Sequence, residues 1–363
     1  RGTFMTKLIL VGGFLGAGKT TLLLAAGKEL RARGLRVGLV TNDQGDQLVD
    51  TALATQARLP VVEVAGGCFC CRLPDLLSSL DALQRMVQPD VILAEPVGSC
   101  TDIMATVMRP LAARPDLNFD IAPFTVLVDP LRMAQPDQGA ADYVYRKQLE
   151  EGELIGLTKL DVVDPRLGEA TLHRLRQRFG PARVLPLAAA SGQGVGGWLD
   201  KVLAAKSEMA LRLDIDYAIY AAAEAALGWL NARGVVEADV PFSPRNWLAY
   251  LLRMLDAALR AQGAEIAHVK AQVTAGEDIY KASITQSGTP VSWDLSGGEC
   301  AADEVSKIEF ILNARVETSP QVLEEMVRGV MAELCPEPRF RYEFTDFSCI
   351  SPGEPRPTER ILG

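Results

Sequence analysis

Hydrophobic and polar positions follow two different patterns along this chain, and the first half keeps one of them throughout. Short apolar runs are each followed by a polar turn and a segment of helical periodicity, as in Lys7–Val11 and then Thr20–Arg33. Further apolar runs of this kind occupy residues 36–40, 90–93, 124–128, 154–157 and 183–187. Strands that alternate with helices indicate a mostly parallel sheet with helices on both faces. We therefore predict an α/β domain over residues 5–205.

The pattern changes after residue 205. An alanine-rich stretch, Tyr217–Leu230, and a helix-like segment, Pro244–Gln262, precede segments of alternating polarity and a second helical segment, Pro320–Leu334. The alternating segments are Ile266–Val273, Ile279–Thr285 and Ile308–Val316. Few helices among several strands indicate a smaller α+β domain with an antiparallel sheet, which we predict over residues 206–363. The proline-rich tail Ser351–Pro357 should lie on the surface, because proline fits neither a helix interior nor a central strand.

Composition and charge argue against several classes of protein. The 363 residues include 37 basic and 46 acidic side chains, a formal charge of -9. A net negative surface repels phosphate backbones, so nucleic acid is not an expected partner. The longest stretch without charge, Val184–Leu199, contains a proline and several glycines, so we expect no membrane span. The seven cysteines are odd in number and no secretory signal is evident, which favours a reducing cytoplasm over a disulfide framework.

The turn after the first apolar run has a phosphate-binding pattern. Residues Gly13–Thr20 read G-x-x-x-x-G-K-T between a predicted strand and a predicted helix, the context that this pattern requires. Its glycines let backbone amides face an anion, Lys19 would reach the β- and γ-phosphates, and the Thr20 hydroxyl would bind Mg²⁺. The alternative is a glycine-rich turn that happens to contain a lysine. The candidate nucleotide-binding residues of this loop are Gly13, Gly16, Ala17, Gly18, Lys19, Thr20 and Thr21.

A second motif concerns the base. The apolar run 154–157 leads into Thr158-Lys159-Leu160-Asp161, close to the N/T-K-x-D pattern for guanine. The Asp161 carboxylate can accept from both guanine N1–H and the 2-amino group, and adenine offers no such pair of donors. GTP is therefore favoured over ATP. Backbone amides near Ala190 would face the guanine O6, and a plain charged turn is the alternative.

Two further loops would sense the γ-phosphate. An apolar strand ends in Glu95-Pro-Val-Gly98, where Glu95 would hold a Mg²⁺-bound water or orient the attacking water and the Gly98 amide would bind the γ-phosphate. Asn42–Asp46 occupies the place of a switch loop, with Asp43 as a further partner of Mg²⁺ or water. A solvated strand-end glutamate and an Asx-turn are the alternatives. The candidate catalytic residues are Lys19, Glu95 and Asp43.

Three cysteines, Cys68, Cys70 and Cys71, lie within four residues. Thiolates this close favour Zn²⁺, Cu⁺ or another thiophilic ion over Mg²⁺ or Ca²⁺. Three ligands leave a tetrahedral site open, which suits a site that must receive and release its ion. Cys100 and Asp46 are candidate fourth ligands. The alternative is a buried pair with one redox-active thiol.

Taken in order, the segments GFLGAGKTT, TNDQGD, GGCFCC, EPVG and TKLD resemble the CobW-type metallochaperone GTPases, relatives of the hydrogenase and urease nickel-insertion GTPases. The resemblance covers about residues 7–206 and continues more loosely into a CobW C-terminal-like domain. It implies a P-loop GTPase domain in which GTP and Mg²⁺ bind at the motifs above and the C-x-C-C cysteines hold Zn²⁺, Co²⁺ or Ni²⁺. It also implies an unidentified client metalloprotein, recognised by residues 206–363, and a nucleotide-dependent homodimer.

The motifs leave two other functions open. One is a nucleotide-gated assembly factor for a metal- or corrinoid-dependent enzyme, in which the cysteines form a static structural zinc site. The other is an ATP-dependent small-molecule kinase, against which Thr158–Asp161 argues. Many relatives carry a histidine-rich segment, whereas this chain has two histidines, so we do not expect an auxiliary metal store.

Overall fold

The computed structural model describes residues 5–42, 59–64, 67–134, 139–293 and 304–362. The chain divides into two units, of which unit 1 contains residues 1–223 and 354–363 and unit 2 contains residues 224–353. The ranges predicted from the sequence, 5–205 and 206–363, differ from this division in two places, because residues 206–223 and the last ten residues, 354–363, belong to unit 1. The last ten residues bond to this unit, for example through the Arg360–Asp102 ion pair.

Unit 1 is built on a parallel sheet, as the alternation of strands and helices predicted. Its strands are β1 (Thr6–Gly13), β2 (Val37–Asn42), β3 (Val61–Val64), β4 (Val91–Ala94), β5 (Phe119–Ile121), β6 (Thr125–Val128), β7 (Leu154–Leu157) and β8 (Val184–Pro186). They pair in the order β3-β2-β4-β1-β6-β7-β8, and β5 also pairs with β1. Every ladder between these strands is parallel. Buried on both faces, the central strands read as continuous apolar runs.

Helices follow the strands in unit 1. They are α1 (Lys19–Ala32), α2 (Leu73–Val87), α3 (Arg109–Ala112), α4 (Pro130–Met133), α5 (Gly139–Glu151), α6 (Pro165–Phe179) and α7 (Val195–Ala204), with a π-helical turn at Met104–Met108 and 3-10 turns at Pro115–Leu117 and Pro181–Arg183. Helix α8 (Tyr217–Ala225) leads out of this unit. Apolar side chains of β1, β4, α1 and α7 share one core, in which the Trp198 indole donates to the Thr125 hydroxyl at 3.0 Å.

Unit 2 is an antiparallel sheet with two helices, which confirms the predicted α+β class. Its strands are β9 (Leu227–Phe242), β10 (Glu265–Ala275), β11 (Asp278–Ile284), β12 (Ser292–Trp293), β13 (Val305–Glu317) and β14 (Phe340–Ile350). They pair in the order β12-β11-β10-β13-β9-β14. Helices α9 (Pro244–Ala261) and α10 (Pro320–Leu334) share one core with alternate residues of the sheet, among them Phe310 and Leu312.

Two long strands of unit 2, β9 and β14, were not predicted from the sequence. The alanine-rich stretch Tyr217–Leu230 divides, because helix α8 ends at Ala225 and β9 begins at Leu227. The alanines of this stretch precede β9 and lie mostly in α8, and β9 itself pairs with both β13 and β14. In the described part of the chain, no helix is both long enough and apolar enough to cross a membrane.

Candidate functional site

The predicted motifs meet at one edge of the unit 1 sheet. Strand β1 ends at Gly13, β2 at Asn42, β4 at Ala94 and β7 at Leu157, and all four strands run in the same direction. The carboxyl ends of parallel strands form the edge where α/β sheets bind ligands. The phosphate loop, the E-x-x-G segment and the guanine motif therefore start at the same edge of the sheet. The first two follow neighbouring strands, and the guanine motif follows the strand two places beyond β1.

The phosphate loop has the backbone conformation that its glycines were expected to provide. Gly13, Gly16 and Gly18 have φ angles of 130°, 73° and 93°. Residues with a side chain are strained at such positive φ angles, whereas glycine adopts them readily. The Lys19 ammonium donates to the backbone carbonyls of Gly13 at 2.9 Å and Phe14 at 3.3 Å, so its charge lies over the loop. Ala17 and Thr21 belong to the same loop and the first turn of α1.

Thr20 and Glu95 come together across the site. The Thr20 hydroxyl lies 3.1 Å from each carboxylate oxygen of Glu95, which is buried at the end of β4. A hydroxyl and a carboxylate are the oxygen donors that Mg²⁺ prefers, so this pair fits the predicted ion. Asp43 and Asp46, the other predicted partners of this region, lie outside the described residues.

Gly98 packs directly against the phosphate loop. A Cβ added at Gly98 would lie 2.7 Å from the Leu15 side chain and 3.0 Å from its backbone nitrogen, so only glycine fits this position. Its own carbonyl accepts a hydrogen bond from the Gln148 amide of α5 at 2.9 Å, and the same amide donates to the Cys100 carbonyl at 2.8 Å. Gln148 therefore joins the Gly98 segment, which packs against the phosphate loop, to the backbone of Cys100.

The guanine motif is joined to the phosphate loop by a hydrogen bond. The Thr158 hydroxyl donates to the Ala17 carbonyl at 2.8 Å, and the Lys159 ammonium forms an ion pair with Asp129 at 2.7 Å. Asp161 is exposed and accepts from the backbone N–H of Ser191 at 3.3 Å, so the predicted loop beside Ala190 does lie next to the predicted base-binding carboxylate.

The three cysteines form a cluster. Their sulfur atoms all lie within 4.8 Å of one another, with 2.9 Å between the sulfurs of Cys68 and Cys70. Cys68 and Cys70 are buried and Cys71 is partly exposed, and all three thiols are free. The Cys100 thiol is buried and hydrogen-bonds to Cys68 and Cys70, but it is not one of the three sulfurs that lie within 4.8 Å of one another, so its role as a fourth ligand stays a prediction.

The three thiols of the cluster differ in pKa. Hydrogen bonds from Cys100, Cys70 and Cys71 hold the pKa of Cys68 well below that of a free thiol. The pKa of Cys70 is raised in turn, chiefly by Cys100 and then by Cys68, and that of Cys71 is raised to about 11, chiefly by Cys68. The arrangement favours one thiolate, at Cys68, and thiolates are the form that binds metal.

Asn42 is a residue whose importance the sequence did not reveal. Its buried amide donates to the carbonyls of Val64 at 2.8 Å and Gly67 at 2.7 Å. Its oxygen accepts from the backbone N–H groups of Phe69 at 2.9 Å and Val97 at 3.4 Å. One side chain therefore joins the end of β2, the cysteine loop and the E-x-x-G segment.

This combination of a phosphate loop, a glutamate at a strand end and a cysteine loop has known counterparts. Residues 7–185 match the family model described as CobW/HypB/UreG, nucleotide-binding domain. The nucleotide-binding domain of this chain belongs to the CobW/HypB/UreG family. The resemblance predicted from the order of the motifs is thereby confirmed.

Individual relatives are more distant. The zinc chaperone YeiR of Escherichia coli (strain K12) is 31% identical over 191 residues, which cover 50% of this chain and 54% of that protein. The zinc chaperone CobW of Sinorhizobium sp is 27% identical over 187 residues, covering 42% and 51%. The chain thus matches about half the length of these curated relatives. Among solved structures, Zn(II)-bound YjiA GTPase from E. coli is 18% identical, covers 91% of this chain and 99% of that chain, and has a TM-score of 0.35.

Proposed function

We propose that this protein is a GTP-hydrolysing metallochaperone. It binds a transition metal, Zn²⁺ first among Zn²⁺, Co²⁺ and Ni²⁺, at the thiols of Cys68, Cys70 and Cys71, and releases the ion to a client protein when GTP is hydrolysed. The observation that carries the proposal is the short physical connection between the nucleotide motifs and the cysteine cluster. Relatives that are named zinc chaperones support the choice of zinc.

Two connections run between the motifs. The first is covalent, because Glu95 beside Thr20, Gly98 beside Leu15 and Cys100 in the cluster lie within six residues of one chain segment. The second is the Asn42 amide, which bonds to both the E-x-x-G segment and the cysteine loop. Such packed, hydrogen-bonded chains can transmit a change at one site to another.

In the nucleotide reaction, Lys19 binds the β- and γ-phosphates and the Gly98 N–H donates to the γ-phosphate. Glu95 orients the attacking water, whose oxygen bonds to the γ-phosphorus as the bond to the bridging oxygen of GDP breaks, and the proton that the water loses passes through the released phosphate to solvent. Thr20 would hold Mg²⁺ directly and Glu95 would hold it through a bound water, and the ion would neutralise charge on the phosphates. Asp161 selects guanine. Asp43 stays a predicted partner of this step.

In the metal reaction, the Gly98 contact to the γ-phosphate draws the segment that ends at Cys100 toward the phosphate loop. In this GTP-bound state the cluster binds its ion tightly. Once the γ-phosphate has left, the segment relaxes and the ion passes to the client. Cys100 acts as the fourth ligand in the GTP-bound state.

One observation favours a second candidate function. Three sulfurs already lie together, and the buried Cys100 thiol beside Cys68 would complete the four-thiolate ligand set of a structural zinc site. The protein would then be a nucleotide-gated assembly factor whose zinc stays bound in every nucleotide state. The experiment below separates the two functions.

We further propose that unit 2 recruits the client and that the protein works in a reducing cytoplasm, where its thiols stay free. The nucleotide-dependent homodimer stays a prediction, which light scattering with GDP and with a GTP analogue tests.

The deciding experiment is a zinc titration of the reduced protein against a competing chelator, with Mg²⁺ present. It compares no nucleotide, GDP and a non-hydrolysable GTP analogue. We expect the analogue to tighten zinc binding by about 5- to 150-fold over GDP, the usual range of coupling between sites. Co²⁺ as a spectroscopic probe should report thiolate ligation in the analogue state.

Matched cysteine variants assign the effect. Cys70→Ser should abolish the tightening, whereas Cys349→Ser should keep it, because Cys349 lies in unit 2 and donates to the Pro320 carbonyl as a serine also would. Zinc affinity that is equal in all three nucleotide states would favour the structural site. No tight zinc binding in any state would refute both functions.

A further inference from the structure

The C-terminal segment, residues 354–362, bonds to the cysteine loop. The Thr358 backbone N–H donates to the Cys70 carbonyl at 2.9 Å, and the Thr358 hydroxyl donates to the Cys71 carbonyl at 3.0 Å. The Arg356 backbone N–H donates to the Cys71 sulfur at 3.2 Å, across 285 residues of chain. The segment therefore contacts both the backbone of the cluster and one of its sulfur atoms.

The sequence of the segment makes these contacts selective. Arg356 lies between Pro355 and Pro357, and proline has no backbone N–H. Between Pro355 and Thr358 the backbone thus has two N–H donors, and both bond to the cysteine loop. A tail that merely covered the surface would need no such arrangement.

The same segment is anchored beside Cys100. Arg360 forms an ion pair at 2.7 Å with Asp102, whose side chain is 1% exposed, and the Tyr217 hydroxyl donates to the same carboxylate at 2.8 Å. The Ile361 N–H donates to the Ala105 carbonyl at 2.9 Å. Asp102 follows Cys100 by two residues, so the segment bonds to both parts of the chain that supply thiols.

We propose that the C-terminal segment is a positioning element of the metal site, with the Arg356 N–H as the outer donor to the Cys71 sulfur. This inference rests on the proposed metal-binding function of the cluster. An N–H donor to a thiolate stabilises its charge and fixes its orientation. Thr358 holds the turn of the cysteine loop, and the Arg360–Asp102 pair fixes the distance from that loop to Cys100.

Two substitutions at one residue isolate the N–H donor. Arg356→Pro removes the N–H from a position whose neighbours are already prolines, while Arg356→Ala removes the exposed side chain and its ion pair with Glu354 but keeps the N–H. We expect Arg356→Pro to weaken zinc binding by about 10- to 100-fold, the usual cost of losing an outer-shell partner. Arg356→Ala should stay within about twofold of the unchanged protein, because exposed ion pairs contribute little.

A second readout needs no metal. In the metal-free protein, thiol labelling followed by mass spectrometry should show a different rate of Cys71 modification in Arg356→Pro than in Arg356→Ala, because loss of the N–H removes a direct contact of the Cys71 sulfur. Equal zinc affinity and equal Cys71 labelling in these two variants would overturn the inference. If the unchanged protein binds no zinc, the proposed function fails, while the labelling comparison still tests the contact of the segment with Cys71.

A second pair of variants covers the case in which Arg356→Pro fails to fold, as judged by circular dichroism. Thr358→Val removes the hydroxyl that donates to Cys71, and Thr358→Ser retains it. Faster Cys71 labelling and weaker zinc binding in the valine variant alone would support the inference. Identical behaviour of the two variants would contradict it.

Discussion

At the scale of single residues, Asn42 has an unusual combination of contacts. Asparagine offers two donors and an acceptor in one planar group, and Asn42 uses all of them on backbone atoms of three segments. Buried polar groups are costly when they lose their partners. Asn42 is therefore the residue through which the ends of β2 and β4 and the cysteine loop hold a common geometry.

Replacing Asn42 by alanine should uncouple the two sites. We expect the free energy of unfolding to fall by about 1–3 kcal/mol, because several buried backbone groups lose a partner. We also expect the ratio of zinc affinities between the GTP-analogue and GDP states to fall toward one. Chemical denaturation and chelator-competition titrations measure the two effects.

Asn313→Ala is the matched control for this change. Asn313 is buried in unit 2, where its amide donates to Asn231 at 3.0 Å, so its loss also costs stability. It should leave the affinity ratio unchanged. A ratio that Asn42→Ala leaves intact would show that the coupling runs through the covalent segment alone.

At the scale of elements, helix α5 holds the segment between Glu95 and the π-helical turn. Gln148 and Glu151 lie three positions apart and so share one face of the helix. Gln148 donates to the carbonyls of Gly98 and Cys100, and Glu151 accepts from the Thr101 hydroxyl at 3.0 Å. Both side chains are buried, so α5 holds residues 98–101 in place through buried hydrogen bonds.

Glu151 should give the protein a distinctive pH dependence. Its pKa is raised from 4.5 to about 8, chiefly by burial; the Thr101 hydrogen bond opposes this shift and the Asp102 charge adds to it. Between these pKa values the folded state binds more protons than the unfolded state, so the free energy of unfolding falls as pH rises from about 4.5 to 8. Glu151→Gln should remove this decline, and its stability relative to the unchanged protein should improve from pH 5 to pH 8.

Denaturation midpoints measured across this pH range test the expectation. Glu150→Gln is the control, since Glu150 is an exposed neighbour that pairs with Lys147. Its pH profile should match that of the unchanged protein. Parallel profiles for the unchanged protein and Glu151→Gln would mean that Glu151 is ionised in both states.

At the scale of the whole molecule, the nucleotide motifs and the cysteine cluster both belong to unit 1, and so does the C-terminal segment. Unit 2 lies between two parts of unit 1 along the chain. The two proposed sites therefore lie in one compact unit, as the proposed coupling between them requires.

Coupling between two sites is reciprocal by thermodynamic necessity. If the GTP analogue tightens zinc binding, zinc must tighten binding of the analogue by the same factor, while GDP binding should respond little. Fluorescence titration with a labelled GTP analogue, with and without saturating zinc, measures this. Cys70→Ser should bind the analogue but lose the zinc effect, and equal nucleotide affinity with and without zinc would contradict a GTP-gated carrier.

The sequence by itself determined the features that depend on local pattern. Apolar runs and helical periodicity gave most strands of unit 1, and the fixed spacing of Gly13–Thr20 gave the phosphate loop, because side-chain period and backbone freedom act over a few residues. The close grouping of Cys68, Cys70 and Cys71 along the chain indicated the cluster of thiols for the same reason. Strand β9 was missed because its pairing with β13 and β14, not its composition, decides its conformation.

Only the tertiary structure decided which distant residues meet. The bonds of Asn42 to the cysteine loop, the approach of Cys100 to Cys68, and the contact of Arg356 with Cys71 depend on strand order and on the path of the chain end. No local period specifies such contacts, because they form only after the sheet has brought separate loops to one edge. The sequence identified the chemical groups of the site, and the fold determined how they are connected.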